Sequence, residues 1–281
     1  MRKRDLTQFG IKWNPFSPDV PAEALLKTPK SDLFCWRVEQ QIQEGGFILL
    51  IGDPGTGKSV LLRQLAQHLT RLKDVTVGIL SRPQSNVGDF YREMGHLFGI
   101  QLSLANRYGG FKALRDRWVT HIETTTCRPV LLYDEAQVSQ QSVLSELRLL
   151  ASKNFDSTSI LTVVLSGDER LLHRLQNEEL RPLESRIRFR LGMEIVSKDQ
   201  LILFIEHCLE AAGNPVLMSK SVIESLAEHA AGNYRTLINL ANELLNAAIR
   251  KDAAKIDEKL YLDTFTFPIK KGPPRNQKQN N

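Results

Sequence analysis

Apolar positions along the chain follow two regimes that change over near residue 196. Before it, short and almost wholly apolar runs recur: Phe47–Ile51, Val75–Leu80, Val130–Tyr133, Ile160–Leu165 and, less purely, Arg188–Ile195. These read as strands. Between them lie segments of helical period: Ser31–Glu44, ended by Gly45-Gly46, then Lys58–Leu72, Asn86–Phe98 closed by Gly99, Gly110–Thr124 and Ser139–Ala151. Apolar strands separated by helices predict a parallel sheet covered on both faces. After residue 196 the strand pattern stops. Ser197-Lys198-Asp199-Gln200 reads as a capping box opening a helix that ends near Gly213. Ser221 opens a second helix, Tyr234–Arg250 forms a third with Leu237, Ala241, Leu244 and Ala248 on its apolar face, and Asp257–Thr264 a short fourth. The expected fold class is α/β, a parallel sheet between helices, followed by a small all-helical domain.

Four units follow. Residues 1–30 are irregular and proline-rich, a strap held on the domain by Trp13 and Phe16. Residues 31–196 are the α/β domain and 197–267 the helical domain, or lid. Residues 268–281 lack any apolar pattern and are expected to be a disordered basic tail. The formal charge of +5 sits in the ends: residues 1–5 hold three basic and one acidic side chain, and residues 268–281 four basic ones. Such ends bind nucleic-acid phosphates or merely aid solubility. No apolar run reaches membrane-spanning length, and no signal peptide precedes the fold, so a cytoplasmic location is expected. Cys35, Cys127 and Cys208 are far apart and read as reduced thiols.

The chemistry concentrates in Gly52-Asp53-Pro54-Gly55-Thr56-Gly57-Lys58-Ser59, which fits the phosphate-binding pattern G-x-x-x-x-G-K-[ST]. An apolar strand leads into it and a helix, beginning with Val60, leaves it. Glycines let successive N–H groups face one anion, and the helix N-terminus adds partial positive charge. Lys58 reaches the phosphates and Ser59 ligates Mg²⁺ in this reading. The strand Val130–Tyr133 ends in Asp134-Glu135, 76 residues beyond Lys58. Ligands gather at the carboxyl ends of parallel strands. Asp134 is therefore expected at the metal and Glu135 as the general base for water. Ser166, ending the next strand, either helps to position that water or belongs to an ordinary Ser-Gly turn. Residues 181–190 alternate Arg and apolar side chains, as a strand with one solvated face does, or supply an arginine to a neighbouring subunit's γ-phosphate. Asn233 can cap the next helix. Arg235 in that helix's first turn opposes the dipole, which an anionic nucleotide nearby would explain, or it is simply exposed.

These motifs in this order resemble the AAA+ ATPases, and in detail their ExeA-like branch: Asn14-Pro15-Phe16, Gly52–Ser59, Asp134-Glu135-Ala136-Gln137, Ser185-Arg186-Ile187 and Gly232-Asn233-Tyr234-Arg235 carry the resemblance, over roughly residues 9–265. It implies that Arg186 is the arginine finger, Arg235 the sensor-2 arginine and Ser166 the sensor-1 residue. It also implies that Pro15 and Phe16 border the adenine pocket, and that ATP drives assembly into hexameric rings or helical filaments. One group of the branch comprises secretion-associated ATPases with a membrane span and a peptidoglycan-binding module. The other comprises compact ATPases of transposable elements, of the TnsC, TniB, IstB and MuB type, which assemble on duplex DNA and recruit a transposase or integrase. The absence of the extra modules and the basic ends favour the second group. Arg82, Lys112, Arg115 and Arg117 are then candidate contacts to DNA phosphates, although each also reads as a solvated helix charge. Lys112 and Arg115 are expected on one face, away from Phe111 and Trp118.

Overall fold

The structure, a computed structural model, describes residues 3–101, 107–154 and 157–265. The expected basic tail lies outside the described residues. The chain opens with α1 (Lys3–Phe9), a short 3-10 turn at Ala22–Ala24 and α2 (Pro29–Ile42). It continues through β1 (Gly46–Gly52), α3 (Lys58–Leu69), β2 (Val75–Leu80), α4 (Val87–Leu97), α5 (Arg107–Thr125) and β3 (Arg128–Tyr133). A 3-10 turn at Ala136–Val138 leads to α6 (Gln141–Ala151), the hairpin strands β4 (Ser152–Lys153) and β5 (Thr158–Ser159), and β6 (Thr162–Gly167). Then come α7 (Glu169–Leu175), α8 (Arg181–Glu184), β7 (Ile187–Met193) and the lid helices α9 (Lys198–Ala212), α10 (Lys220–His229), α11 (Tyr234–Arg250) and α12 (Glu258–Phe265).

The five long strands form one parallel sheet in the order β2-β3-β6-β1-β7. Side chains on a strand alternate between faces, so each central strand feeds two cores. Phe47, Leu49, Leu131, Tyr133, Val163 and Leu165 enter the core under α4, α5 and α6. Ile48, Leu50, Val130, Leu132 and Val164 enter the other, under α2 and α3. The edge strand β7 buries one face only: Arg188 and Arg190 are exposed, while Phe189 packs edge-on against Phe34 under the Arg37 guanidinium.

Two expectations need correcting. The alternating segment 181–190 is not one strand, because its first part forms the short helix α8, with Pro182 in the first turn and Leu183 buried. The N-terminal strap is not irregular throughout, nor is it packed on the α/β domain by Trp13 and Phe16. Phe9, Ile11 and Phe16 are buried in the lid's core, with Trp13 against it. The strap then crosses to α3. Arg63 donates to the carbonyls of Pro18 (2.8 Å) and Val20 (2.7 Å), and Gln64 to that of Leu26 (2.9 Å). His207 of α9 meets the Ala24 carbonyl at 2.9 Å.

Lid and strap therefore share one apolar core, and Phe16, 2% exposed, is part of it. Phe16→Ala is expected to destabilise the protein by about 3–5 kcal/mol. Chemical denaturation measures this, and a loss below about 1 kcal/mol would contradict the placement.

Candidate active site

The carboxyl ends of β1, β3 and β6 lie side by side in this strand order, and the loop after β1 curls over them. Gly55 (φ 89°) and Gly57 (φ 97°) take the left-handed conformation that the curl requires. Thr56, 1% exposed, donates its hydroxyl to the Asp53 carbonyl (2.8 Å). Lys58, 6% exposed, donates to the carbonyls of Gly52 (2.7 Å) and Asp53 (3.0 Å), so the ammonium sits inside the loop's curl. Burial pushes its pKa below the ordinary lysine value; Glu135, Asp134 and Asp168 oppose that shift and Arg235 adds to it. Those charges therefore surround one point. Ser59 and Val60 follow on the exposed start of α3.

Asp134 ties three segments together. Its Oδ2 accepts from Ser59 Oγ at 2.7 Å, and its Oδ1 accepts from Ser166 Oγ at 2.7 Å and from the Glu135 amide at 2.9 Å. The Ser59 and Asp134 oxygens fit Mg²⁺, a hard cation that takes few protein ligands and completes its shell with water and phosphate oxygens. Among the described residues no three His, Cys, Asp or Glu side chains gather into a metal-binding group. Glu135 stands exposed at φ 54°, ψ 35°, left-handed although not glycine. Its Oε2 accepts from Gln137 Nε2 at 2.6 Å.

The lid closes on the loop from above. Asn233 caps α11 by accepting from the Thr236 amide (3.1 Å) and donates its Nδ2 to the Pro54 carbonyl (2.9 Å). The Tyr234 amide donates to the Gly55 carbonyl (3.1 Å). Arg235 is exposed in the same first turn, on the loop's side of the lid.

Pro15 and Phe16 are buried, with Phe16 in the lid core. Arg186 precedes β7, at the amino end of the sheet, and its guanidinium donates to the Pro182 carbonyl. One strand length, roughly 20 Å, separates it from the loop of its own chain. There it lines a cavity of about 350 Å³ with Arg128, Arg148 and Arg188. Arg82, Lys112 and Arg117 are exposed. Arg115 is not a free face charge: it caps the end of α6 through the Leu149 (2.7 Å) and Ser152 carbonyls. It also lies 5.0 Å over the Phe111 ring, which corrects the expected separation of the two. Sequence reasoning missed Asp168, which caps α7 and pairs with Arg170 at 2.6 Å; an acidic residue between Ser166-Gly167 and a helix start was its signal. Cys35 and Cys208 are pushed up by burial to about 11 and about 12, leaving both as neutral thiols.

Over residues 40–175 the chain matches the family described as AAA domain. It is 28% identical over 254 residues to the General secretion pathway protein A of Aeromonas hydrophila, covering 88% of this chain and 45% of that protein. The chain thus spans less than half the length of that relative. Among solved structures it is similar to Cdc6p from Pyrobaculum aerophilum (TM-score 0.67, 18% identity, 86% of this chain and 67% of that one). It is also similar to the ADP form of the Aeropyrum pernix ORC2 protein (TM-score 0.72, 15% identity, 89% and 71%) and to Drosophila ORC bound to DNA (TM-score 0.67, 18% identity, 94% and 66%). At these identities the likeness speaks for the fold, an α/β P-loop domain with a helical lid.

A Cβ at Gly55 would lie 2.2 Å from Asn233 Oδ1, on top of the left-handed strain of about 1–2 kcal/mol. Gly55→Ala is expected to lower the melting temperature and to weaken nucleotide binding together, because it prises the lid from the loop. Gly192→Ala, with open space at its Cβ, serves as the silent control. Equal behaviour of the two variants in calorimetry and nucleotide titration would contradict the docking.

Proposed function

We propose that this chain, an AAA-type P-loop ATP hydrolase, is an ATP-driven assembly factor that polymerises on duplex DNA and regulates transposition by choosing the target and recruiting a transposase. The observation that carries the assembly reading is the distance between Arg186 and its own phosphate loop. A residue at the amino end of the sheet cannot serve a γ-phosphate held at the carboxyl end of the same sheet. It can serve a neighbour's, and hydrolysis then requires a ring or filament in which each site is completed by the next subunit.

Within one subunit the geometry supports the following roles. The backbone of Gly52–Gly57 and the Lys58 ammonium hold the phosphates. Ser59 and Asp134 hold Mg²⁺, which neutralises phosphate charge when bound. Glu135 orients the attacking water and takes its proton, while Ser166 keeps Asp134 aimed at the metal. Arg235, brought over the loop by the lid, senses the phosphates, and Arg186 of one subunit stabilises charge on its neighbour's γ-phosphate.

Support for DNA as the track comes from exposed Arg82, Lys112 and Arg117 and from fold relatives described as bound to DNA. Arg115, engaged at the end of α6, is the weakest of the four candidate contacts. Phosphate contacts dominate in such binding, so it is salt-dependent and reads little sequence. A second reading is favoured by the likeness to the General secretion pathway protein A, namely an ATPase subunit of a secretion or cell-envelope system. Among the described residues no helix is long and apolar enough to cross a membrane.

ATP hydrolysis with and without long duplex DNA, at low and moderate salt, separates the two. Stimulation that fades with salt is expected; indifference to DNA at both salts turns the assignment towards the envelope. Lys58→Ala is expected to abolish nucleotide binding, and Arg186→Ala to bind ATP without hydrolysing it. Mixed together, these two inactive proteins are expected to recover part of the activity, because intact Lys58 sites then meet intact Arg186 neighbours. Unchanged turnover in Arg186→Ala alone would exclude Arg186 as the shared residue.

A further inference from the structure

Gln137 has no part in the account so far, yet it is 7% exposed and its amide points at the general base. Nε2 donates to Glu135 Oε2 at 2.6 Å, and the other amide atom, Oε1, is buried without a hydrogen-bond partner. Burying half an amide unpaired is unfavourable. A Leu of similar size would avoid that cost, so an amide here calls for a reason. The backbone beneath it is held firmly: Arg174 of α7 donates to the carbonyls of Gln137 and, at 2.6 Å, Ser139. Oε1 also lies 2.7 Å from where a Cβ of Gly167 would be, directly after Ser166. The amide is thus lodged between the ends of β3 and β6.

We propose that Gln137 is a positioning residue for Glu135, a reading that rests on Glu135 being the base. One carboxylate oxygen is held by the amide, which leaves Oε1 of Glu135 to meet the water. A single planar amide also suits both protonation states of the base. While Glu135 is a carboxylate, Nε2–H donates to it. Once Glu135 has taken the proton from water, a half-turn of the amide presents the unpartnered Oε1 to the new carboxyl O–H, and no further group is needed. An apolar side chain supports neither state, and a carboxylate supports only the protonated one.

The test uses the full chain with ATP and its metal. Gln137→Leu is expected to lower kcat roughly 10- to 100-fold, as misplacement of a reacting group does, with ATP affinity and melting temperature close to the parent's. Gln137→Glu, the same shape with a second negative charge, is expected to be slow at neutral pH. Its ATP affinity is expected to stay close to the parent's, so that the loss falls on kcat. A parental kcat in Gln137→Leu overturns the inference. So does a loss of kcat matched by equal losses of ATP affinity and thermal stability, which marks a merely structural residue. Should Gln137→Leu fail to fold, a parental kcat in Gln137→Glu overturns it alone. Glu135→Gln separates the two readings: normal turnover in that variant removes the base itself, whereas a dead Glu135→Gln beside a normal Gln137→Leu removes only the positioning role.

Discussion

The site is held together at one carboxylate. Asp134 accepts hydrogen bonds from the start of α3, from the end of β6 and from the Glu135 amide just beyond β3. Each of these segments belongs to a different excursion of the chain, and each carries one element of the chemistry: Ser59, Ser166 and Glu135. Charge-assisted bonds of this kind are shorter and stronger than neutral ones. Three of them meeting on one group make the positions of the phosphate loop, Glu135 and the end of β6 interdependent. Parallel pairing is what permits this, because it places three carboxyl ends in one row.

A second level of organisation couples that row to the lid. Asn233 uses one side-chain end to cap α11 and the other to hold the phosphate loop. The lid's orientation and the loop's shape are therefore set by the same residue. Glycine at position 55 is required twice over, for its backbone angle and for the approach of Asn233. The strap reinforces the coupling from below, since Arg63 and Gln64 of the phosphate-loop helix grip the same segment whose beginning is buried in the lid.

Much of this was legible in the sequence because local and global signals agreed. Wholly apolar runs became the central strands, glycine stops became helix ends, and the phosphate loop falls between strand and helix where its spacing demands. Asn233 reads as a cap and is one. What escaped was decided by contacts between distant segments. The strap's apolar residues carry no mark of which domain they will enter, and they entered the lid. Arg115 has the spacing of a solvated charge, but α6 happens to end beneath it. The stretch 181–190 alternates as a strand should, yet a proline at the start and a buried Leu183 convert its first half into a helical turn. Gln137 was visible as part of a motif, but its orientation towards Glu135 depends on Arg174, 37 residues away.

The path of residues 9–26 changes the mechanics of the whole molecule. The lid is joined to the α/β body at Glu194–Val196 and again through the strap, whose far end is clamped to α3. A cover joined by one linker can shift without regard to what lies beneath it, whereas this one is also tethered, through the strap, to the helix that begins at Lys58. Any displacement of the lid away from that helix must stretch the amino-terminal segment or break its grip on Arg63.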